Sequence, residues 1–512
     1  MAAAPRLSSM PIGSRASARD LRAAGEIARS PAERLRARIL ERLSASQKDG
    51  TSRAEALAAL FPRTVLPART YEDLTAALLS GAHVLFFGPS GAGKTSLAKD
   101  LWELFPKDAW TVQGCPVLDH PLSLVDPGTS DRFPPCPICR RRFAPDHDAT
   151  RFDPGSVDAA TVPAELVRLH EGFGFARLQG SSEVFPDHLT GNINLRRLEE
   201  IGDPMSPLVL EPGKLLQANR GMLLVDEIGK LPLGTQNVLL QALQEGTVTP
   251  AKTRESFPAE FLAVCTSNLS DLDNINDPLS DRLSSLHIGY NRHHADNRRI
   301  VAVGGGDHPS GYVPEILTDA GIRVVEAWRL RNSDDNPDIG EVGSNRTLID
   351  VAARTSAIAL LEGRIVPSSD DLRSGLIHAM RGRIRARSGE SFQQNEKRVA
   401  EFVGQYIDPA LKRSAGVYWC RYFRGPLKEN DANAQSLIGE GRRLATDPKL
   451  VDQLRTEGQL FPQFRAFSTW VDSTEHPQTN LGNNTAALEE FRLLEKFSLF
   501  SCPEDADDDA SL

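Results

Sequence analysis

Cysteine is scarce in this sequence, with six in 512 residues. So thin a set cannot staple a disulfide scaffold, and a reducing compartment is expected. No apolar run approaches the roughly 18–20 residues that cross a bilayer, so a transmembrane helix is not expected. Positive charge is also short, with 59 Lys and Arg against 68 Asp and Glu, a net charge of −9 and a pI near 5.8. That balance argues against a wholesale electrostatic grip on nucleic acid and leaves room only for a local basic patch. No internal repeat is visible, which sets aside repeat architectures. The first acid is Asp20, and the stretch before it, rich in Ala, Ser and Arg, has no secretory apolar core. It reads as a transit peptide or as a disordered tail, and the tail is the expectation taken here.

What is present suits a soluble globular protein, 40% hydrophobic and 25% charged. The length allows several domains at roughly 100–200 residues each. Residues 1–30 are expected as a disordered tail and 31–64 as a helical segment. Within that segment, "PAERLRARILERLSASQK" (31–48) has helical periodicity with Pro31 near its start. A second helix is expected from Thr70, with Thr70 and Asp73 as a capping box and Gly81 as its stop. "HVLFFG", "GMLLVDE" and "FLAVCTSN" read as buried strands with helical stretches between them. Strands alternating with helices predict an α/β domain with a parallel sheet, placed at 65–302. A linker (303–314) would lead into helices to residue 390, then a mostly helical extension (391–502) and an acidic tail (503–512).

The stretch "GPSGAGKT", 88–95, matches G-x-x-x-x-G-K-T directly after a strand and before a helix. Gly88, Pro89, Ser90, Gly91, Ala92 and Gly93 would turn backbone N–H groups toward phosphate oxygens, with Ser96 on the following helix turn. Lys94 would neutralise the β- and γ-phosphates of ATP, and Thr95 would hold Mg²⁺. "MLLVDE" then ends in two acids, which are costly at the end of a buried strand unless they serve a cation or a water. Asp226 would bind Mg²⁺ and Glu227 would polarise the attacking water.

These residues resemble the AAA+ ATPases. The third strand ends in Asn268, where that family places its sensor-1 polar residue. "DPLSDRL" (277–283) is similar to the segment carrying the arginine finger, with Arg282 as the candidate and Arg254, Arg292 and Arg298 as rivals. "GSNRTLIDVAARTSAIALLEGR" (343–364) resembles the sensor-2 helix of the lid, with Arg346 in the key position. "HLTGNINLRRLEEIG" resembles the helix-2 insertion, and "GTVTPAKTRESFPAEF" the hairpin before sensor 1. The nearest likeness is to the magnesium-chelatase small ATPase subunit and the MoxR-type ATPases, over about residues 65–390. "LVDEIGKLP" departs from the chelatase form at Gly229, where an Asn is common.

The resemblance implies a homo-oligomeric ring, a hexamer, in the cytoplasm. It also implies a separate partner protein bearing a von Willebrand A domain, since no D-x-S-x-S stretch occurs here. The expected activity is Mg-ATP hydrolysis that remodels or activates a partner. The alternatives are a helicase-like nucleic-acid motor, disfavoured by the acidic pI, a nucleotide-gated scaffold, disfavoured by an intact Glu227, and a protein kinase on an AAA+ core.

One motif lies outside this reading. "FPPCPICRRRF" carries Cys136 and Cys139, and Cys115 with His120 upstream completes C-x₄-H-x₁₅-C-x₂-C, in a possible insertion at 115–150. Two close pairs of soft ligands suit tetrahedral Zn²⁺, with His147 able to replace His120. Some relatives of the chelatase ATPase carry a comparable Cys-rich insertion. Unligated thiols remain an alternative, and a redox pair is disfavoured because the strand-to-helix context is missing. Arg140, Arg141 and Arg142 would form a solvated rim or a docking face for an acidic partner.

Overall fold

The three apolar runs form strands His83–Phe87, Met222–Asp226 and Leu262–Ser267. Met222–Asp226 and Leu262–Ser267 are buried at every residue, which is why their sequences do not alternate. The computed structural model describes residues 10–144, 152–250, 255–305, 313–331, 343–364, 366–381, 389, 391–423, 489 and 492–498. The chain divides into two units, Met1–Gly289 and Tyr290–Leu512.

In the first unit a parallel sheet runs in the order Leu283–His287, His83–Phe87, Leu262–Ser267, Met222–Asp226, Gly174–Gln179, with His170–Glu171 at its edge. Ser267 pairs with Phe87, Cys265 with Val225 and Gln179 with Asp226. The register brings the carboxyl ends of four strands to one edge, the place where open α/β sheets bind ligands. Helices Lys94–Leu104 and Leu233–Glu245 follow two of those ends. The fold is the expected α/β one, with a mostly helical second unit.

The helix at Pro31–Lys48 has the expected bounds, and Ser30 with Glu33 forms its capping box. The helix expected from Thr70 is Ala68–Ser80, which starts earlier than expected. Its N-cap is Pro67 with no side-chain cap, so the Thr70–Asp73 box does not form; Gly81, at φ +85°, does end it. The N-terminal tail needs a larger correction. From residue 10 onward it is structured: strand Arg15–Ser17 pairs antiparallel with strand Pro163–Arg168, and helix Ala18–Ala23 follows. Ala18 and Leu21 are fully buried in the core of the first unit, and that burial offsets the entropy of ordering the segment.

The second unit packs Glu315–Arg331, Asn345–Leu361, Ser369–Arg381 and Phe392–Phe423 around Leu317, Val325, Leu376 and Phe402. Its division from the first unit falls ahead of the expected 302/303 boundary, because helix His294–Gly304 packs on the helices of this second unit. The central part of the expected linker, 306–312, and the acidic tail 503–512 lie outside the described residues, as does 424–488 of the extension. Cys420 is disulfide-bonded, a departure from wholly reduced thiols.

His294 joins two acids in this unit, with Nε2 2.6 Å from Asp319 Oδ1 and Nδ1 2.9 Å from Glu326 Oε2. Burial opposes its charge, but Asp319 and Glu326 outweigh burial and raise its pKa from 6.5 to about 9. A folded-state pKa above the unfolded value stabilises the fold below 6.5, and the contribution is lost as pH rises through about 9. Urea midpoints of the full chain should therefore fall across that window. His294→Gln should flatten the fall, and an unchanged pH profile in that variant would contradict the assignment.

Candidate functional site

The loop "GPSGAGKT" links strand His83–Phe87 to helix Lys94–Leu104. Its entry demands glycine: Gly88 has φ +151°, and a Cβ there would lie 2.1 Å from Ile288 O. Lys94 is buried, and its Nζ donates to Gly88 O and Pro89 O at 2.8 Å each and to Asn268 Oδ1 at 3.2 Å. Thr95 Oγ1 lies 3.3 and 3.4 Å from the two Asp226 oxygens. Gly91, Ala92 and Gly93 complete the turn, with Ser90 and Ser96 exposed beside it. A glycine-rich loop running into a helix N-terminus is the arrangement that suits an anion.

Asp226 is buried at its strand end, where Thr266 Oγ1 donates to it at 2.5 Å and Arg177 Nη2 at 3.1 Å. Glu227 follows in the left-handed region, at φ +56° and ψ +51°. That conformation is rare for a residue with a side chain, and among the described residues only Leu118 and Arg220 share a positive φ without being glycine. It persists because Glu227 N donates to Thr266 Oγ1 at 2.9 Å. The Glu227 carboxylate receives Gln179 Nε2 and Lys230 Nζ at 2.9 Å and Asn268 Nδ2 at 3.3 Å. Gly229 is required on steric grounds, since a Cβ there would meet Asp271 O at 2.1 Å. An Asn has no room at this position.

Lys94, Thr95, Asp226, Glu227 and Asn268 therefore meet at one sheet edge. Arg282 does not join them. It is exposed, and its Nη1 donates to Pro278 O at 2.9 Å. It precedes Leu283, which pairs with His83, at the end of the strand away from Gly88. Five strand residues at roughly 3.3 Å each put about 17 Å between those ends. Arg346 is exposed in the first turn of helix Asn345–Leu361 in the second unit. Of the rivals, Arg298 is paired with Glu315 and Asp319 within the second unit, Arg292 is exposed, and Arg254 lies outside the described residues.

The cysteines converge as the spacing suggested, but with a different fourth group. One ligand atom each from Cys115, Asp119, Cys136 and Cys139 lies within 4.8 Å of the others, and all four residues are buried. Cys115 Sγ and Cys136 Sγ are 3.9 Å apart. His120 is not in the group; its Nδ1 accepts from Leu122 N at 3.2 Å and caps the turn Pro121–Leu124. His147 lies outside the described residues. Burial, with the Cys115 charge adding to it, pushes Asp119 up to about 7, and burial pushes Cys136 well above the usual thiol range. Three thiols and a carboxyl whose ligand atoms converge at one buried point give this cluster the donor set to hold a metal ion.

Comparison with known proteins identifies the domain that carries this site. Residues 78–302 match the family model described as the PrkA AAA domain. Those residues are an AAA+ domain. The chain is 22% identical over 355 residues to the magnesium-chelatase subunit ChlI homolog of Methanocaldococcus jannaschii, covering 63% of this chain and 84% of that one. It is 26% identical over 210 residues to the serine/threonine kinase YeaG of Escherichia coli K12, covering 36% of this chain and only 31% of the kinase. Among solved structures, one modelling the complex of magnesium-chelatase subunits BchI and BchD aligns at 19% identity and TM-score 0.30, over 66% of this chain and 99% of that chain. Residues 78–302 are thus an AAA+ domain, and the chain around them is similar to the magnesium-chelatase ATPase subunits.

Reading the sequence missed three groups of the AAA+ domain's acidic pair. Arg177 and Gln179 come from "GFARLQG", a strand whose alternation is visible but whose place beside Met222–Asp226 is not. Thr266 sits two residues before Asn268, in the quoted run "FLAVCTSN", yet nothing in that run marks it as the partner of both Asp226 and the Glu227 backbone.

Proposed function

We propose that the AAA+ domain hydrolyses Mg-ATP at the interfaces of a homo-oligomeric ring, a hexamer, and uses the cycle to remodel or activate a partner protein. Lys94 and the 88–93 backbone hold the phosphates, and Thr95 with Asp226 hold Mg²⁺. The metal, when bound, neutralises charge on the β- and γ-oxygens. Glu227 takes the proton of the attacking water, and Asn268, within reach of both Lys94 and Glu227, orients that water. Arg346 acts in cis and Arg282 in trans on the departing phosphate. The observation that carries this reading is Glu227 itself, fixed in a rare backbone conformation beside the metal-binding acid. The magnesium-chelatase likeness favours a separate von Willebrand A partner, as in MoxR-type systems, and a cytoplasmic setting. Among the described residues no helix is long and apolar enough to cross a membrane. A structural Zn²⁺ held by Cys115, Cys136 and Cys139 completes the reading.

Calorimetric titration with Mg-ATP tests its first step. The parent chain should bind, and Lys94→Ala should lose binding while keeping the parent's circular dichroism. Equal affinity in that folded variant would remove the phosphate site from the account.

The matched family model and the similarity to YeaG favour a second reading, protein phosphorylation on the AAA+ core. The chain spans less than a third of that kinase, which limits what carries over. Tracing the γ-phosphate separates the two: free phosphate supports hydrolysis, and label on protein supports transfer.

A further inference from the structure

Zinc needs four ligands in a structural site, and the three cysteines of the reading above supply three. The fourth has two adjacent candidates in sequence, Asp119 and His120. Their surroundings separate them. His120 is buried with its Nδ1 already accepting a backbone N–H. Asp119 Oδ2 accepts from Cys136 N at 2.8 Å, while Asp119 Oδ1 is buried with no hydrogen-bond partner. A buried carboxylate oxygen left without a partner is costly, and a cation beside it removes the cost.

The spacing fits one ion. Zn–S bonds of about 2.3 Å in a tetrahedron set ligand sulfurs about 3.8 Å apart. Cys115 Sγ and Cys136 Sγ are 3.9 Å apart, and the four ligand atoms all fall within 4.8 Å of one another. Backbone amides already support the sulfurs: Asp119 N donates to Cys115 Sγ at 3.3 Å and Cys139 N to Cys136 Sγ at 3.4 Å. Three thiolates and a carboxylate leave the ion with net negative charge. The partly buried Arg220 lies beside the cluster, donating to Leu118 O at 3.1 Å, and offsets part of that charge.

We propose that Asp119 is the fourth ligand of a Cys₃Asp zinc site formed with Cys115, Cys136 and Cys139, and that His120 is not a ligand. The inference rests on the reading of zinc at the three cysteines. The site ties the 115–119 loop to helix Pro137–Phe143. The same loop is joined to the segment that leads into strand Met222–Asp226, through Asn219 Nδ2 to Val117 O and Arg220 Nη1 to Leu118 O. Zinc would therefore stiffen the base of the strand whose far end carries Asp226.

The test uses the full chain, purified under reducing conditions without chelator. Elemental analysis should find one zinc per chain. Cobalt exchanged into the site should give tetrahedral d–d bands and thiolate charge-transfer bands. Asp119→Asn keeps an oxygen for Cys136 N but lowers zinc affinity, measured by chelator competition, beyond the roughly 10–100-fold typical of outer-shell changes. His120→Ala should leave affinity at the parent value. If Asp119→Asn does not fold, Asp119→Cys carries the test: zinc is retained, and the cobalt charge-transfer band rises from three-thiolate to four-thiolate intensity. Parent-like affinity in Asp119→Asn, with zinc lost in His120→Ala, would overturn the Asp119 assignment and leave the zinc reading standing. So would a band in Asp119→Cys that stays at three-thiolate intensity. A parent chain with no zinc and no cobalt spectrum would end the zinc reading and this inference with it.

Discussion

Arg282→Ala chains should bind ATP with near-parent affinity and lose nearly all hydrolysis. Arginine fingers contribute roughly 10³–10⁵ in rate, and removing one should cost a factor in that range. The geometry explains why binding survives. Arg282 precedes the strand Leu283–His287, at the end remote from Gly88, and is exposed. About 17 Å of strand separates it from its own phosphate loop at ~3.3 Å per residue. A guanidinium so placed can meet a phosphate held by a neighbouring copy. Specific activity should then rise with protein concentration, because only assemblies hold complete sites. Mixing sharpens the point. Lys94→Ala chains should not bind ATP but keep Arg282, whereas Arg282→Ala chains should bind ATP but have no finger to donate. Mixed rings place some Arg282→Ala sites beside a Lys94→Ala donor, and these should recover activity that neither variant has alone. A chain that hydrolyses ATP at full rate at every dilution, indifferent to Arg282→Ala, would refute the shared site.

Glu227→Gln should bind Mg-ATP and hydrolyse it at least about a hundredfold more slowly, the low end of general acid–base contributions. Gln keeps the shape and the hydrogen bond from Asn268 Nδ2, now 3.3 Å from the carboxylate, but it cannot take a proton. The loss should appear in kcat rather than in the affinity for nucleotide. Lys230 and Gln179 also hold the Glu227 carboxylate, each at 2.9 Å. Parent-rate turnover in Glu227→Gln would move the base to another residue.

The phosphate loop and the acidic pair were legible because each is a contiguous run whose chemistry is local. The parallel sheet was legible because buried strands read as unbroken apolar runs, "MLLV" among them. Pairing between distant segments was not. Arg177 and Gln179 reach Asp226 and Glu227 only because Gly174–Gln179 lies beside Met222–Asp226. The N-terminal segment has the composition of a tail, yet three residues pair with Pro163–Arg168 and Leu21 fills the core. Asp119 and His120 are neighbours in sequence, and spacing favoured the histidine as the softer ligand. Which of two adjacent side chains faces the sulfurs depends on the loop backbone, where Leu118 takes φ +64°. The roles proposed for Arg282 and Arg346 come from the resemblance alone, because no single motif around either arginine marks a phosphate partner.

Release of inorganic phosphate from Mg-ATP by the purified full chain tests the central claim most directly. The account predicts Mg²⁺-dependent release that rises with protein concentration and falls to the blank in Lys94→Ala. Nucleotide binding without phosphate release at any concentration, or release unchanged in Lys94→Ala, would contradict it.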